Sequence, residues 1–274
     1  MSELTKMIDN YVDDRDFKIL EQDKYTFYVL KHIISGNWEC KLLLSDHDRM
    51  ILCYSDHPFP IWIWTPNDLT DDEKEKVYQL IKKNSLLTCE YKFNMKYDLA
   101  EFFIKRAGKD GYKYQIFLNL FAYDCRNPIK PTSEVDGDIY QCQTEDIEEL
   151  VELMDMFHRE TGVDQKDREG YLEDAKSFID SGKMFFLKNS NGVNVACCKY
   201  DTTEDMASVN LVFTRPEYRR RHYAEHLVYQ VTSMAMEEGY TPMLYTNADY
   251  TASNACYEKI GYVLQGKICT IFAG

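Results

Sequence analysis

The sequence has nine cysteines in 274 residues but no C-x-x-C pair. Scattered cysteines in an odd number do not suggest a disulfide framework, so we expect free, mostly buried thiols in a reducing compartment. Cys197 and Cys198 are adjacent on a predicted strand. Their side chains should therefore point to opposite faces of a sheet.

The sequence also lacks a long apolar run and a recognisable signal peptide. No segment is apolar over the length that a bilayer requires, and the opening residues, MSELTKMIDNYVDDRD, have neither a basic flank nor an apolar stretch. These absences predict a soluble, cytoplasmic protein without a membrane partner. The net charge of −14 argues against nucleic acid as a partner, because its phosphates would be repelled. An acidic surface is more compatible with an amine-bearing molecule.

A polar segment at residues 124–138, DCRNPIKPTSEVDGD, divides the chain. Its two prolines, its glycine and its polar side chains are typical of a linker or domain edge. We therefore predict an N-terminal α/β domain over residues 1–130 and a second domain over residues 137–274. The sequence of the first half shows no phosphate loop, metal-ligand cluster or catalytic triad.

Several elements of the first half have local signals. Residues 2–14 have the pattern of an amphipathic helix, and residues 25–33, YTFYVLKHI, are predicted to be a strand or another buried segment. Thr70 and Glu73 form a capping box that should begin a helix reaching about residue 84. The run IWIW at residues 61–64 lies between prolines, and it is more typical of a core strand than of a ligand platform.

The second half predicts a strand, two helices, three strands, a helix, a strand, a helix and a closing pair of strands at residues 261–272. Thr144 is the expected N-cap of the first of these helices. The turn at residues 190–192, Ser-Asn-Gly, should connect a hairpin. The long helix at residues 223–238 follows the most informative segment of the chain.

Two chemistries compete for the start of that helix. His222, Glu225 and His226 have the H-x-x-E-H spacing of some zinc peptidases. The arginines at residues 219–221 instead precede a helix start, where unpaired N–H groups and the positive end of the dipole bind anions. Three guanidinium groups would repel Zn²⁺, and no third ligand is evident, so we favour the anion site and predict no metal. A solvated surface cluster is the alternative for three arginines taken in isolation.

Two segments in this order of elements resemble the GCN5-related N-acetyltransferase (GNAT) superfamily. In VFTRPEYRRRHYAEHLV, residues 219–224 occupy the family's pattern Arg/Gln-x-x-Gly-x-Gly/Ala. The second segment, LYTNADYTASNACYEKIGYV, is similar to the family's strand, loop and helix that end in Tyr-Glu-Lys-Ile-Gly-Tyr. The resemblance covers about the last half of the chain. It implies an α/β (α+β) fold with a mixed, mostly antiparallel sheet flanked by helices.

The resemblance also implies a function and its residues. The protein would be an acetyl-CoA-dependent N-acetyltransferase acting on a primary amine of a small molecule or peptide. Tyr257 would be the catalytic acid for the departing thiolate, since a phenol is protonated at neutral pH. The implied residues for binding coenzyme A are Val212, Phe213, Thr214, Arg219, Arg220, Arg221, His222, Tyr223, Ala224 and Asn254.

Two positions depart from the family pattern. His222 replaces the first glycine of the loop, and Tyr250 stands where many members have an asparagine. These departures leave a second hypothesis open, a non-catalytic acyl-CoA-binding or regulatory protein. The general base is not identified, although Glu204, Asp205 and Asp249 are acids that the implied fold would place near the cleft.

The resemblance does not define the role of the first half. Some superfamily members carry a degenerate copy of the same fold there. We expect a companion domain that walls the acceptor site or mediates association, for example in a homodimer. Because it lacks a comparable phosphate loop, we predict one cofactor per chain.

Overall fold

The structure is a computed structural model that describes residues 8–162 and 165–274. The described chain forms two compact units. The N-terminal unit comprises the described residues up to Ala122 together with residues 246–249 and 265–274, and the C-terminal unit comprises residues 123–245 and 250–264. The domain limits predicted from the sequence, 1–130 and 137–274, stay a prediction.

The N-terminal unit contains four helices and a mixed sheet. Its helices are α1 (Asp14–Leu20), α2 (Tyr28–His32), α3 (Asp71–Lys83) and α4 (Tyr97–Lys109). Its strands are β1 (Leu42–Ser45), β2 (Ile51–Tyr54), β3 (Ile61–Trp64), β4 (Lys92–Met95), most of β5 (Tyr114–Asp124) and most of the last strand, β11 (Val263–Ala273). The strands β1, β2 and β3 are antiparallel, β3 and β4 are parallel, and β11 pairs antiparallel with β4.

The C-terminal unit has the same mixture of elements. Its strands are β6 (Gly137–Gln141), β7 (Met184–Asn189), β8 (Asn194–Thr203), β9 (Met206–Thr214) and most of β10 (Thr241–Asn247). Its helices are α5 (Ile147–Thr161), α6 (Arg168–Asp180), α7 (Tyr223–Glu237) and α8 (Thr251–Ile260). The strands β6 to β9 are antiparallel in chain order, and β10 runs parallel to β9. This mixed, mostly antiparallel sheet with helices confirms the fold class.

The two units share one order of elements. Two helices precede three antiparallel strands, and a helix, a parallel strand and a further helix follow. In the N-terminal unit the parallel step joins β3 to β4, and in the C-terminal unit it joins β9 to β10. This correspondence is the pattern that a degenerate copy of one fold predicts.

Several local predictions are confirmed. Thr70 and Glu73 form the capping box of α3, with the Thr70 N–H donating to Glu73 Oε2 over 2.8 Å. The IWIW run is β3, and all four of its side chains are buried in the core. All nine cysteines are free thiols, and six of them are buried. Cys197 packs with α5 and α6, whereas the neighbouring Cys198 points to the other face of the strand.

Four local expectations differ from the structure. Residues 28–32 belong to a buried segment, as one of the two alternatives predicted, but they form a helix rather than a strand; apolar side chains in and around the helix are buried in one cluster with β2 and β3. Gln143 rather than Thr144 caps the first turn after β6. The closing segment is one strand rather than a pair. Gly266 does not form a turn in it but leaves room for Thr26, since a Cβ at Gly266 would lie 2.0 Å from Thr26 Oγ1. Residues 8–13 are not helical, and residues 2–7 of that predicted helix lie outside the described residues.

No helix in the described ranges combines the length and the apolar character needed to cross a membrane.

Candidate active site

The parallel strands β9 and β10 pair over only part of their length. The paired register joins residues 206–208 to residues 241–243, yet both strands continue beyond it. Further along β9, Leu211 and Val212 together oppose the single residue Cys198 of β8, which is a β-bulge. A bulge bends its strand and locally disrupts the ladder. The region after Ser208 is therefore a notch in the sheet of the C-terminal unit.

The bulge has a strained backbone. Leu211 has φ of 49°, a region that large apolar residues rarely adopt and that costs on the order of 1–3 kcal/mol. The Leu211 side chain is buried with Phe213 and the apolar faces of α5 and α6, and this packing offsets the cost. Strain of this kind is common at functional sites.

The loop after β9 has the backbone conformation of an anion cradle. A short helical turn at Pro216–Tyr218 follows the strand, and α7 begins at Tyr223. Between them Arg220 has φ of 60° and His222 has φ of 64°. A left-handed residue followed by a right-handed one, as His222 is followed by Tyr223, turns successive N–H groups toward one concavity, which binds anions.

The start of α7 leaves its first amides available. Among the described side chains, none caps this helix, so the N–H groups of Tyr223, Ala224 and Glu225 are not satisfied by an N-cap side chain. The corresponding helix of the N-terminal unit, α3, is closed by its capping box and has Asp71, Asp72 and Glu73 in its first turn. The unsatisfied amides at the start of α7 therefore favour an anion there. The acids and the capping box at the start of α3 disfavour one.

The three arginines have different surroundings. Arg219 donates from Nε to the Thr214 carbonyl over 3.0 Å and from Nη2 to Glu160 over 2.5 Å, so it holds the loop in place. The Arg221 guanidinium lies 5.5 Å from the centre of the Tyr218 ring. Arg220 is exposed, and the described part of the chain provides no partner for its side chain. Of the three, Arg220 is the most available to a phosphate.

Tyr257 and Asn254 lie one turn apart on α8, and both are buried. Burial raises the pKa of the Tyr257 hydroxyl above its ordinary value of 10.0, and the thiol of Cys198, opposite the bulge, contributes in the same direction. The Tyr257 ring packs edge-on against Tyr262, with 6.0 Å between ring centres. The structure thus provides a buried, protonated phenol on α8, whose pKa the Cys198 thiol also raises.

Two further features of the site are the hydroxyl of Thr214 and the glycine that ends α8. The Thr214 hydroxyl is buried, and no described group hydrogen-bonds to it. Gly261 ends α8 with φ of 101°, and a Cβ there would lie 2.6 Å from the Asn127 carbonyl oxygen. Only glycine tolerates both the conformation and the close approach. The Ile-Gly-Tyr sequence therefore fixes the end of the helix that carries Tyr257.

Comparison with known proteins identifies the domain that contains this notch. Residues 147–262 match the model of the acetyltransferase (GNAT) family. We call this matched segment the GNAT domain. The resemblance inferred from the two sequence segments is thereby confirmed. No curated protein matches the sequence of the chain.

Solved structures resemble the chain over nearly its whole length. A GCN5-related N-acetyltransferase from Sphaerobacter thermophilus has a TM-score of 0.68 and 12% identity, with 97% of this chain and 94% of that chain covered. An acetyltransferase of the GNAT family from Colwellia psychrerythraea has a TM-score of 0.60 and 12% identity, covering 97% and 99%. A GCN5-related N-acetyltransferase from Kribbella flavida has a TM-score of 0.59 and 11% identity, covering 94% and 95%. These likenesses show a shared fold.

His222, which stands at the first glycine of the family pattern, has a backbone conformation that glycine adopts readily. It is the N-cap residue of α7, in the left-handed region. Its side chain is 49% exposed, and Nδ1 lies 2.9 Å from Glu225 Oε2. The backbone at this position therefore has a conformation that glycine favours, although histidine has a Cβ.

Replacing His222 by glycine should stabilise the protein. A left-handed residue with a Cβ is strained by roughly 1–2 kcal/mol, and glycine removes that strain at some cost in unfolded-state entropy. We expect the free energy of unfolding in urea to rise by about 0.5–1 kcal/mol. The His222→Ala variant keeps the Cβ and loses the Glu225 contact, so it should show no gain. Equal effects of the two substitutions would contradict the strain argument.

The other residues of the H-x-x-E-H spacing are engaged elsewhere in the domain. His226 Nε2 lies 2.8 Å from the Ser133 carbonyl oxygen, to which it donates. The His222 ring contacts Glu225. A metal bound to His226 Nε2 would have to displace the hydrogen bond from that nitrogen to the Ser133 carbonyl oxygen.

The acids named from the sequence do not gather at the bulge. Glu204 and Asp205 form the turn between β8 and β9. At about 3.3 Å per residue, the nine residues of β9 place that turn roughly 25 Å from Thr214. Asp249 is exposed in the segment between β10 and α8. The placement of these acids near the cleft stays a prediction, and surface acids are the alternative for each of them.

A carboxylate that the sequence analysis missed does lie beside the bulge. Asp201 Oδ2 accepts a hydrogen bond of 2.8 Å from Asn210 Nδ2, and Asn210 directly precedes the bulged residues. Lys199 Nζ pairs with the same carboxylate at 2.5 Å. Strand pairing across β8 and β9 creates this cluster, and no local sequence motif marks it.

Proposed function

We propose that the protein is an acetyl-CoA-dependent N-acetyltransferase that acetylates a primary amine of a small molecule or a peptide. The observation that carries the proposal is the uncapped start of α7, preceded by a loop with positive φ at Arg220 and His222. An N-terminus of this kind suits a diphosphate. The GNAT domain supports acyl transfer in general terms.

The residues present suit coenzyme A. The loop amides and the Arg220 side chain would hold the diphosphate, and the β9 backbone at residues 212–214 would face the pantetheine arm. The buried Thr214 hydroxyl lacks a partner in the described chain, as a ligand-binding group would before its ligand is bound. Asn254 completes the proposed contacts. When bound, acetyl-CoA supplies a thioester whose acetyl carbon an amine can attack.

The residues of the chain then have three tasks. Tyr257 holds a proton and donates it to the departing thiolate sulfur; burial, which raises its pKa, keeps the phenol neutral until that moment. Backbone N–H groups at the notch polarise the acetyl carbonyl. Asp201 is our candidate for accepting the proton that the ammonium of the acceptor must lose, directly or through water.

The raised pKa of Tyr257 determines how we expect the activity to depend on pH. The active form of this acid is protonated, and its pKa lies above 10.0, so it loses no activity as pH rises through the neutral and mildly alkaline range. The acceptor amine, in contrast, becomes more reactive as it deprotonates. We expect kcat/KM to rise with pH and to show no Tyr257-dependent decline below about pH 10. A decline with an apparent pKa between 7 and about 9 that disappears in Tyr257→Phe would contradict this assignment.

The proposal predicts one cofactor per chain. Support comes from the contrast between α7, which is uncapped, and α3, which has a capping box and three acids in its first turn. We propose that the N-terminal domain, residues 1–130, is a companion that walls the acceptor site or mediates association in a homodimer. Size-exclusion chromatography with light scattering tests the latter role.

A non-catalytic acyl-CoA-binding protein is the second candidate. His222 in place of glycine favours it, as does Tyr250, which is 42% exposed where many family members have asparagine. The deciding experiment incubates the full chain with acetyl-CoA and a panel of small amines and peptides, and measures free thiol. Release of thiol that depends on an added amine supports the enzyme. Coenzyme A binding without turnover across the panel supports the second candidate.

A further inference from the structure

His47 in the N-terminal unit presents a buried ring nitrogen to a carboxylate. It lies in the segment between β1 and β2, and 3% of its side chain is exposed. The distance from Nε2 to Asp9 Oδ2 is 3.3 Å. Nevertheless, Nε2 makes no hydrogen bond to any described group. Because the distance alone would permit one, the carboxylate oxygen must lie to the side of the direction that a ring N–H would take.

The other ring nitrogen determines the tautomer. His47 Nδ1 lies 2.6 Å from Asp16 Oδ2, and Asp16 is fully buried. Asp16 also accepts hydrogen bonds from Ser45 Oγ at 2.5 Å and from the Asp13 N–H at 2.8 Å. An ionised carboxylate only accepts, so His47 donates from Nδ1 and the neutral ring carries its lone pair on Nε2. A lone pair this close to the Asp9 carboxylate is unfavourable unless a cation binds both atoms.

The arrangement has the geometry of a metal-ligand pair. A histidine that ligates a metal usually donates its other ring N–H to a carboxylate, as His47 does to Asp16. With zinc bonds of about 2.0–2.2 Å to nitrogen and oxygen at a tetrahedral angle, the two ligand atoms are about 3.3 Å apart. The measured separation of Nε2 and Asp9 Oδ2 is the same. In such a site the oxygen lies to the side of the nitrogen lone pair.

The backbone fixes both side chains. Asp9 and Ser45 exchange two backbone hydrogen bonds of 2.8 and 2.9 Å. The His47 N–H donates to Ser45 Oγ over 2.9 Å, and His47 is held at φ of 57°. Asp13 lies nearby, but its carboxylate is occupied by Arg15, which donates to both of its oxygens. The surrounding negative charge favours a cation at Nε2.

We propose that His47 Nε2 and Asp9 Oδ2 bind a divalent transition-metal ion such as Zn²⁺, with Asp16 as a positioning residue. Water completes the coordination sphere. The ion links the segment around Asp9 to the turn between β1 and β2, so its role is to stabilise the fold. The site is independent of acetyl transfer and of the H-x-x-E-H spacing in the GNAT domain.

Zinc titration of the full chain tests the proposal. Wild-type protein, stripped with chelator, is titrated with zinc chloride by calorimetry, alongside Asp9→Asn, Asp14→Asn and His222→Gln. Asp14 is an exposed acid close to Asp9 in the sequence, so Asp14→Asn controls for the loss of one negative charge. His222→Gln tests whether zinc binds instead at the H-x-x-E-H residues. We expect one zinc per chain in the wild type, unchanged affinity in both controls, and at least a tenfold weaker affinity in Asp9→Asn. Thermal melts without metal confirm that each variant is folded.

Cobalt chloride provides a second readout on the wild type alone. Ligation by nitrogen and oxygen gives visible absorption without an intense sulfur-to-metal band. The proposal is overturned if no zinc binds. It is equally overturned if Asp9→Asn binds as tightly as the wild type, if His222→Gln loses the site, or if cobalt shows thiolate ligation.

Discussion

Replacing Tyr257 by phenylalanine should lower kcat about 100-fold, at the low end of what a general acid contributes. The phenylalanine ring keeps the buried packing against Tyr262, so the loss is that of the hydroxyl proton alone. Without it, the thiolate must leave unprotonated or take its proton from water. Because Tyr257 acts on the leaving group, we expect the KM for acetyl-CoA to change only a few-fold.

Tyr262 offers a matched control for this variant. It is buried just after the end of α8, and its hydroxyl shares a hydrogen bond of 2.7 Å with Thr232. Tyr262→Phe should lose stability, by about 1 kcal/mol for a buried hydrogen bond, while kcat stays near that of the wild type. The acid assignment fails if Tyr257→Phe retains full kcat, or if Tyr262→Phe loses as much activity.

Replacing Ala224 by aspartate should have opposite effects on binding and stability. Ala224 is the second residue of α7, where a carboxylate interacts favourably with the helix dipole by about 0.5 kcal/mol. The same charge would lie beside the proposed diphosphate and repel it. We expect the free energy of unfolding to stay level or rise, while the affinity for coenzyme A falls about 100-fold, equivalent to about 2.7 kcal/mol.

The neutral analogue separates charge from size. Ala224→Asn has nearly the same volume as the aspartate variant, so it should lose much less affinity. Dephospho-coenzyme A retains the diphosphate and should show the same ranking of variants. If aspartate and asparagine weaken binding equally, the effect is steric and the diphosphate does not lie at this helix start.

Local sequence signals located much of the fold. The capping box at Thr70 and the hairpin turn at residues 190–192 each act within a few residues, and the structure contains both of them as well as the long helix predicted at residues 223–238. The helix at residues 28–32 was missed because burial on several sides, rather than local periodicity, defines it. The role of Gly266 depends on Thr26, which is 240 positions away in the chain.

The candidate site was only partly predictable for the same reason. The arginine loop and the helix with Tyr257 are continuous segments whose residue types indicate their chemistry. The bulge at Leu211 depends on its pairing with Cys198, and a leucine gives no local sign of positive φ. Asp201 joins Asn210 only through the register of two strands. The distance of the turn with Glu204 and Asp205 from the bulge likewise depends on the length of β9.

Calorimetric titration of coenzyme A into the full chain decides whether the start of α7 binds a diphosphate, because it reports binding without requiring an acceptor. We expect one molecule per chain, an affinity that weakens with added salt, and a large loss of affinity in Ala224→Asp. Absence of heat at millimolar coenzyme A, or binding that Ala224→Asp leaves unchanged, would contradict it.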